Sequence, residues 1–354
     1  MAGLANTLTQ NLRTDYPSNL DKYETRLSKY GAWELAKADT QSVESIVSDE
    51  VIAIAKQSIG NTLQIPVIDG GDVTIGSARS CTIADTENTS NLVTVSFTTY
   101  SFGFQMVPSS YVNNDIKYQE DFNKKLLRYL KKMASTLDSA TVTAIDTAKS
   151  QVWGSAFVGA GKKYGALAGD SLQVTQAQKG LVFNDLTSMM SEDDFEGGYN
   201  VLGSTTLKST VGQYANQGAG NSTNTMFQFG EYDFTYSNRV TVGAGDESTF
   251  YCMPKGTIAT FNRNEPDAVQ GNSVNAGEYW EEVIVPIIEI PMGVKYKKDC
   301  ADNSGINGGS GASWNTASLR EQFIWSTDVA IVTAYNRAPA TITSPIHKGE
   351  ISAS

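Results

Sequence analysis

A single histidine, His347, and three widely separated cysteines, Cys81, Cys252 and Cys300, are all the imidazoles and thiols that this 354-residue chain offers. Ser-His-Asp or Cys-His chemistry needs an imidazole held on a rigid scaffold, and His347 lies in the C-terminal tail, so the sequence argues against it. The cysteines follow no ligand-like spacing and read as free thiols in a reducing compartment. No run approaches the roughly 18 apolar residues of a membrane span. The opening MAGLANTLTQNLRTDY lacks both the basic region and the apolar core of a signal peptide. Cations are outnumbered, with 27 Lys and Arg against 38 Asp and Glu and a net charge of -11, which argues against strong overall binding to nucleic acid.

Apparent motifs fail one by one. In the stretch Gly159 to Gly165, GAGKKYG, a phosphate loop would need Gly in place of Ala156 and Ser or Thr in place of Lys163, and a dinucleotide turn would need Gly in place of Tyr164. The segment DCADNSGINGG resembles a calcium loop in composition only, because Ala301 and Ser304 stand where a ligand and a glycine belong. The acidic run Glu192, Asp193, Asp194 and Glu196 has no histidine beside it and reads as a solvated helix end. No cofactor or metal is expected, and no enzymatic role.

What the chain does have is a long ribbon feeding into a very long helix. From Leu92 to Val107, LVTVSFTTYSFGFQMV is rich in β-branched and aromatic residues, with Leu92, Tyr100, Phe102 and Phe104 on one face and Val93, Val95 and Phe97 on the other. Its expected antiparallel partner is Asp72 to Ala84, with a polar tip at Asp85 to Asn91. An isolated two-stranded hairpin is marginal in water, so the ribbon needs a surface to lie on, expected to belong to another subunit. Gly70 and Gly71 are expected to act as a hinge at its base, with Pro66 before them and Pro108 at its exit. The spacing of Phe122, Leu126, Leu130, Met133, Leu137, Ala140, Ala144 and Ala148 predicts one uninterrupted helix from Asp115 to about Val152. Lys124, Lys125, Arg128, Lys131 and Lys132 form a charged face on it, either solvated or meeting acidic or phosphate partners.

Elsewhere, Val43 to Ala55 predicts an amphipathic helix stopped near Gly60, and helices are expected at Thr175 to Met190 and Ser204 to Tyr214. Short strands are expected at Tyr199 to Leu202, Tyr232 to Val242, Ser248 to Met253 and Gly256 to Phe261, one long extended segment at Trp280 to Lys297, and a last strand pair at Leu319 to Tyr335 bending at Asp328. The tail from Asn336 stays unassigned. The fold class is α+β.

This order of parts resembles the Hong Kong 97 type of major capsid protein of tailed double-stranded DNA bacteriophages. The resemblance rests on the junction SFGFQMVPSSYVNNDIKYQEDFNKKLLRYLKKMASTLDSATVTAID and on the closing LREQFIWSTDVAIVTAYNRAPATI. It implies an N-terminal arm (1–65), an extended loop (66–108), a peripheral domain with a spine helix (109–164), an axial domain (165–285), and return strands with a tail (286–354). It further implies self-assembly into hexamers and pentamers around packaged DNA, in a virion capsid assembled in the host cytoplasm. Val93, Val95, Phe97, Tyr100, Phe102 and Phe104 would be intersubunit contacts. A portal and a separate scaffolding protein are implied as partners, with room for a decoration protein, since the region before the ribbon is too short for a built-in scaffold. Some family members crosslink a loop lysine covalently. Here Ile68 to Val107 has no lysine and only Arg79 is basic, so no such bond is expected. The rival readings are a bacterial encapsulin shell and a tail or adhesin component.

Overall fold

Two β-sheets, with one long helix reaching both, organise the computed structural model, which describes residues 6–12, 30–42, 45–57, 62–69, 89–111, 115–150, 153–154, 156–165, 171–193, 195, 197–219, 232–264, 278–302, 317–333 and 344–353. Residues 6–12 are helical, followed by α1 (Gly31–Thr40) and α2 (Asp49–Gln57). Strands β1 (Thr62–Asp69) and β2 (Thr89–Ser96) make a two-stranded ribbon, β3 (Thr98–Met106) follows, and after a 3-10 turn at Pro108–Tyr111 comes α3 (Asp115–Thr147).

Next are β4 (Ser171–Val174), α4 (Val182–Glu192), β5 (Tyr199–Gly203), α5 (Leu207–Ala219), β6 (Tyr232–Tyr236), β7 (Asp246–Pro254) and β8 (Ile258–Arg263). The chain ends with β9 (Glu278–Ile284), β10 (Pro291–Asp302), β11 (Ala317–Thr333) and β12 (His347–Ser352). The mixture is α+β, as the sequence leads one to expect.

The first sheet has the order β3-β11-β10-β9, antiparallel throughout, with β8 pairing onto β11 beyond the end of β10. Alternation along β11 sends Phe323 and Trp325 to one face, where α3 lies over them with Phe122, Leu126, Leu130 and Leu137 fully buried. At 33 residues and about 1.5 Å per residue, α3 is a rod of roughly 50 Å. It ends at Thr147, five residues short of the expected Val152, where the next segment turns to pair with the tail through Ser150 N–H and the Ile346 carbonyl at 2.7 Å. Beyond Leu137 the buried stripe also drifts from the expected alanines to Asp138, Thr141, Val142 and Ile145, because this end of α3 leaves the first sheet and packs on the second.

The second sheet, β4-β12-β7-β5-β6, carries α4 on its own core of Phe183, Leu186, Met190, Val201 and Phe250. Its β4/β12 and β5/β6 pairs are parallel and its central pairs antiparallel. The tail is therefore structural: β12 is a central strand, and Gly349 is required because any side chain there would run into the ring of Phe250. His347, in the tail that the sequence left unassigned, is fully buried.

Other expectations are corrected. Leu92 to Val107 is not one strand: β2 pairs with Thr62–Asp69, while β3 pairs with β11, the break falling at Phe97, whose ring turns into the body. The partner expected at 72–84 lies outside the described residues, but the register Thr62↔Ser96 to Asp69↔Thr89 already assigns that role to β1. Trp280 to Lys297 is a hairpin instead of one extended segment, because Pro286 opens a turn in which Ile287 and Glu289 take φ of 72° and 55°. Asp328 is no bend: β11 continues through it for 17 residues, since Arg263 on β8 and the Thr99 hydroxyl on β3 meet its carboxylate within the sheet. The helices expected from Val43, from Thr175 and from Ser204 start later, at Asp49, Val182 and Leu207.

Candidate assembly surfaces

The arm is tied to the chain's own body wherever it is described. Leu8 and Leu12 are buried beside α3, and the Gln119 side chain donates to the Leu8 carbonyl at 3.2 Å. Helix α1 has no side-chain cap from its own N-terminal residues; instead the carboxylate of Asp138, in the middle of α3, accepts from the backbone N–H of Ala32 at 2.9 Å and of Trp33 at 3.1 Å. These are among the four N–H groups that a helix start leaves without internal partners. The Ser237 hydroxyl donates to the other Asp138 oxygen at 2.6 Å, which draws the second lobe into the same joint. Burial raises the Asp138 pKa, partly opposed by these hydrogen bonds and by the charge of Arg239. At Gly31 the helix start lies so close to the Tyr236 carbonyl that no side chain fits.

A second buried carboxylate fixes the other end of α1. Asp39 accepts from Asn200 Nδ2 of β5 at 2.6 Å and is 3 % exposed. Burial pushes its pKa up to about 6, with the neighbouring Gly256 and Ile258 backbone, Asn200 and Lys255 pulling the other way. Beside it a cavity of about 300 Å³ is lined by Glu34, Asp39, Asn200, Asp233 and Lys255 among others. Neither Asp138 nor Asp39 was singled out by the sequence, in which each is one acidic residue among 38. The one legible hint is that Asp138 falls on the apolar stripe, next to Leu137.

The ribbon is anchored at one end. Leu63, Ile65, Val95 and Phe97 pack with Val47 and Ala55 near α2 and with Phe261 and Val332 of the first sheet, and the Arg263 guanidinium sits 4.1 Å from the Phe97 ring centroid. Among the described residues no third strand joins β1 and β2. Of the residues expected at an intersubunit contact, Val95 and Phe97 are buried here, within the same chain. Tyr100, Phe102 and Phe104 are half-buried on the first core, Phe102 stacking on Tyr129 at 5.3 Å and Phe104 on Phe323 at 5.6 Å. Val93 pairs with Ile65 in the ribbon, and its side chain lies outside the described residues. Gly70 and Gly71, expected as a hinge, also lie outside them, directly after Asp69 in the sequence.

The five cations of the expected charged face divide. Lys125 is half-buried, pairs with Asp121 at 2.9 Å and donates to the Gln105 carbonyl at 3.2 Å, and Lys131 is engaged as well. Lys124, Arg128 and Lys132 are exposed. At the start of α3, Tyr118 and Tyr296 (2.9 Å) donate to the buried Glu321 of β11, and Lys298 pairs with it at 3.3 Å.

Nothing described assembles into a catalytic group. Nε2 of His347 lies 3.1 Å from Asp193 and the ring is enclosed by Trp153 and Phe195, with the buried Cys252 as its cross-strand neighbour on β7. Burial pushes the Cys252 thiol far above its ordinary value, which leaves it inert. Among the described residues there is no group of three metal-binding side chains, and no helix is long and apolar enough to cross a membrane.

Similar solved structures come from phages. The capsid of Ralstonia phage GP4 is 11% identical over 96% of each chain, with a TM-score of 0.48. A chain from Mycobacterium phage Bobi is 14% identical, covering 89% of this chain and 94% of that one at a TM-score of 0.46. The mature capsid of bacteriophage PhiM1 is 11% identical over 83% of each, at 0.43. No family model and no curated protein matches the chain.

Proposed function

We propose that this chain is the major capsid protein of a tailed, double-stranded DNA phage, self-assembling as hexamers and pentamers into a closed shell. The observation that carries the reading is the ribbon: two strands fastened to the body at Thr62 and Phe97, with no third strand of the chain beside them among the described residues. A two-stranded ribbon is marginal unless something covers it. A second copy of the chain is the natural cover, and repeated copies make each weak contact part of a multivalent closure.

In this reading the contact surface passes from the aromatics, which the chain itself packs, to the ribbon rungs from Pro66↔Leu92 to Asp69↔Thr89. The buried joint at α1, with Asp138 and Asp39 at its two ends, supports a subunit whose two lobes move as one piece. Portal and scaffolding proteins are its partners in this reading.

Negative-stain microscopy of the purified protein tests it. Closed shells of uniform diameter are the expected result, whereas rods or lasting monomers would count against it. Shells purified from infected cells should contain DNA; an enzyme cargo in its place would favour an encapsulin.

A further inference from the structure

Of the six cations on α3, Lys117, Lys125 and Lys131 are engaged by the fold and three are left over. Lys124, Arg128 and Lys132 are exposed and four residues apart, so they stand on successive turns about 6 Å from one another. Arg128 and Lys132 have no ion pair among the described residues, and Lys124 has only Asp121 and Glu120 nearby, the former already committed to Lys125 and Tyr111. The same exposed face continues through Thr136, Ser139, Thr143 and Thr147, which are uncharged. Positive charge is thus concentrated on one half of one helix face, in a chain whose net charge is -11.

The opposite side of this lobe, the outer face of the first sheet, is different. There Lys295 and Lys297 share the carboxylate of Glu278, at 3.8 and 3.3 Å, and Asp328 meets Arg263 at 3.1 Å, so each of these cations already has a carboxylate beside it. Of the two broad faces of the lobe, the α3 face is the one that attracts a polyanion.

We propose that the Lys124, Arg128 and Lys132 stripe is the surface that meets packaged double-stranded DNA, through phosphates and without regard to sequence. The inference deepens the capsid reading and rests on it, because only a DNA-filled shell brings that ligand to this face. A short stripe on an otherwise acidic subunit gives weak, salt-sensitive contacts, which let the duplex slide during packaging and still place it against the wall.

The test is fluorescence anisotropy of a labelled duplex of about 20 base pairs against purified soluble protein, over a series of salt concentrations. The wild type should bind at low salt, and the triple variant K124Q/R128Q/K132Q should lose up to about 2.7 units of the log-log salt slope, about 0.9 for each phosphate contact. The control pair K295Q/K297Q should keep the wild-type slope. All three cations are exposed, so the triple variant should melt with the wild type, which separates lost binding from lost folding. Equal slopes for triple variant and wild type overturn the proposal, as does a wild type that binds no duplex. Failure of the triple variant to form shells, with duplex binding intact, would assign the stripe to a neighbouring subunit and overturn it too. A wild type that never forms shells would instead overturn the capsid reading, which micrographs record independently of the anisotropy.

Discussion

The guanidinium of Arg263 lies 4.1 Å above the ring of Phe97, at the residue where the ribbon leaves the body. The same group holds Asp328 of β11 at 3.1 Å and is itself buried, so ribbon, β8 and β11 meet at one cation. Arg263→Ala removes a partly desolvated cation–π contact of about 1–2 kcal/mol and strands the Asp328 carboxylate. The expected result is about tenfold faster hydrogen exchange at the β1 and β2 amides, with α4 and β7 amides unchanged; equal loss everywhere would mean that Arg263 supports the whole fold and not the ribbon.

Asp138 makes a second prediction. Asp138→Ala leaves two α1 N–H groups and the Ser237 hydroxyl without their acceptor, for a loss on the order of 2–4 kcal/mol in denaturant unfolding. Asp138→Asn, which keeps an acceptor oxygen and removes a buried charge, should recover much of it. If both variants unfold at the wild-type midpoint, Asp138 does not hold the joint.

Asp39 predicts a pH dependence. Its pKa in the fold, about 6, stands above the ordinary 3.8, so between these values the folded protein binds the proton more tightly than the unfolded chain. Its contribution to stability is therefore greatest below pH 4 and declines as pH rises to about 6, then levels off. Asp39→Asn should flatten the corresponding part of the pH-stability curve and raise stability at pH 7. A curve identical to the wild type's would show that Asp39 keeps an ordinary pKa.

The lysine-free stretch from Ile68 to Val107 predicts particles without the loop-lysine crosslink. Boiled in denaturant and run by electrophoresis, they should give one band at the 38.1 kDa of the monomer. A ladder of multimers would contradict this.

The sequence made some of this legible and hid the rest for identifiable reasons. The α3 rod was readable because its buried residues repeat at three and four, and only the last two turns misled, where the partner changes from one sheet to the other. Strand existence was readable from β-branched and aromatic runs, but pairing was not: nothing local in LVTVSFTTY says that Phe97 turns inward and hands the chain from one partner to another. Asp328 looked like a turn residue because its partner, Arg263, is 65 positions away. Asp138 and Asp39 stayed hidden for the same reason, since a buried carboxylate is recognisable only with its donors in place.

The 17-residue strand β11 has a mechanical consequence. Its ladder with β3 runs from Glu321 to Val329, and β3 is separated from the ribbon by Phe97 alone. Tension applied to the ribbon along its axis loads that ladder in shear, where the rungs resist together, instead of peeling them one at a time. β11 in turn is clasped by β8, which follows directly on β7 of the second sheet. A pull from a neighbour would thus run from ribbon to sheet to second lobe as through a strut, stretching very little on the way.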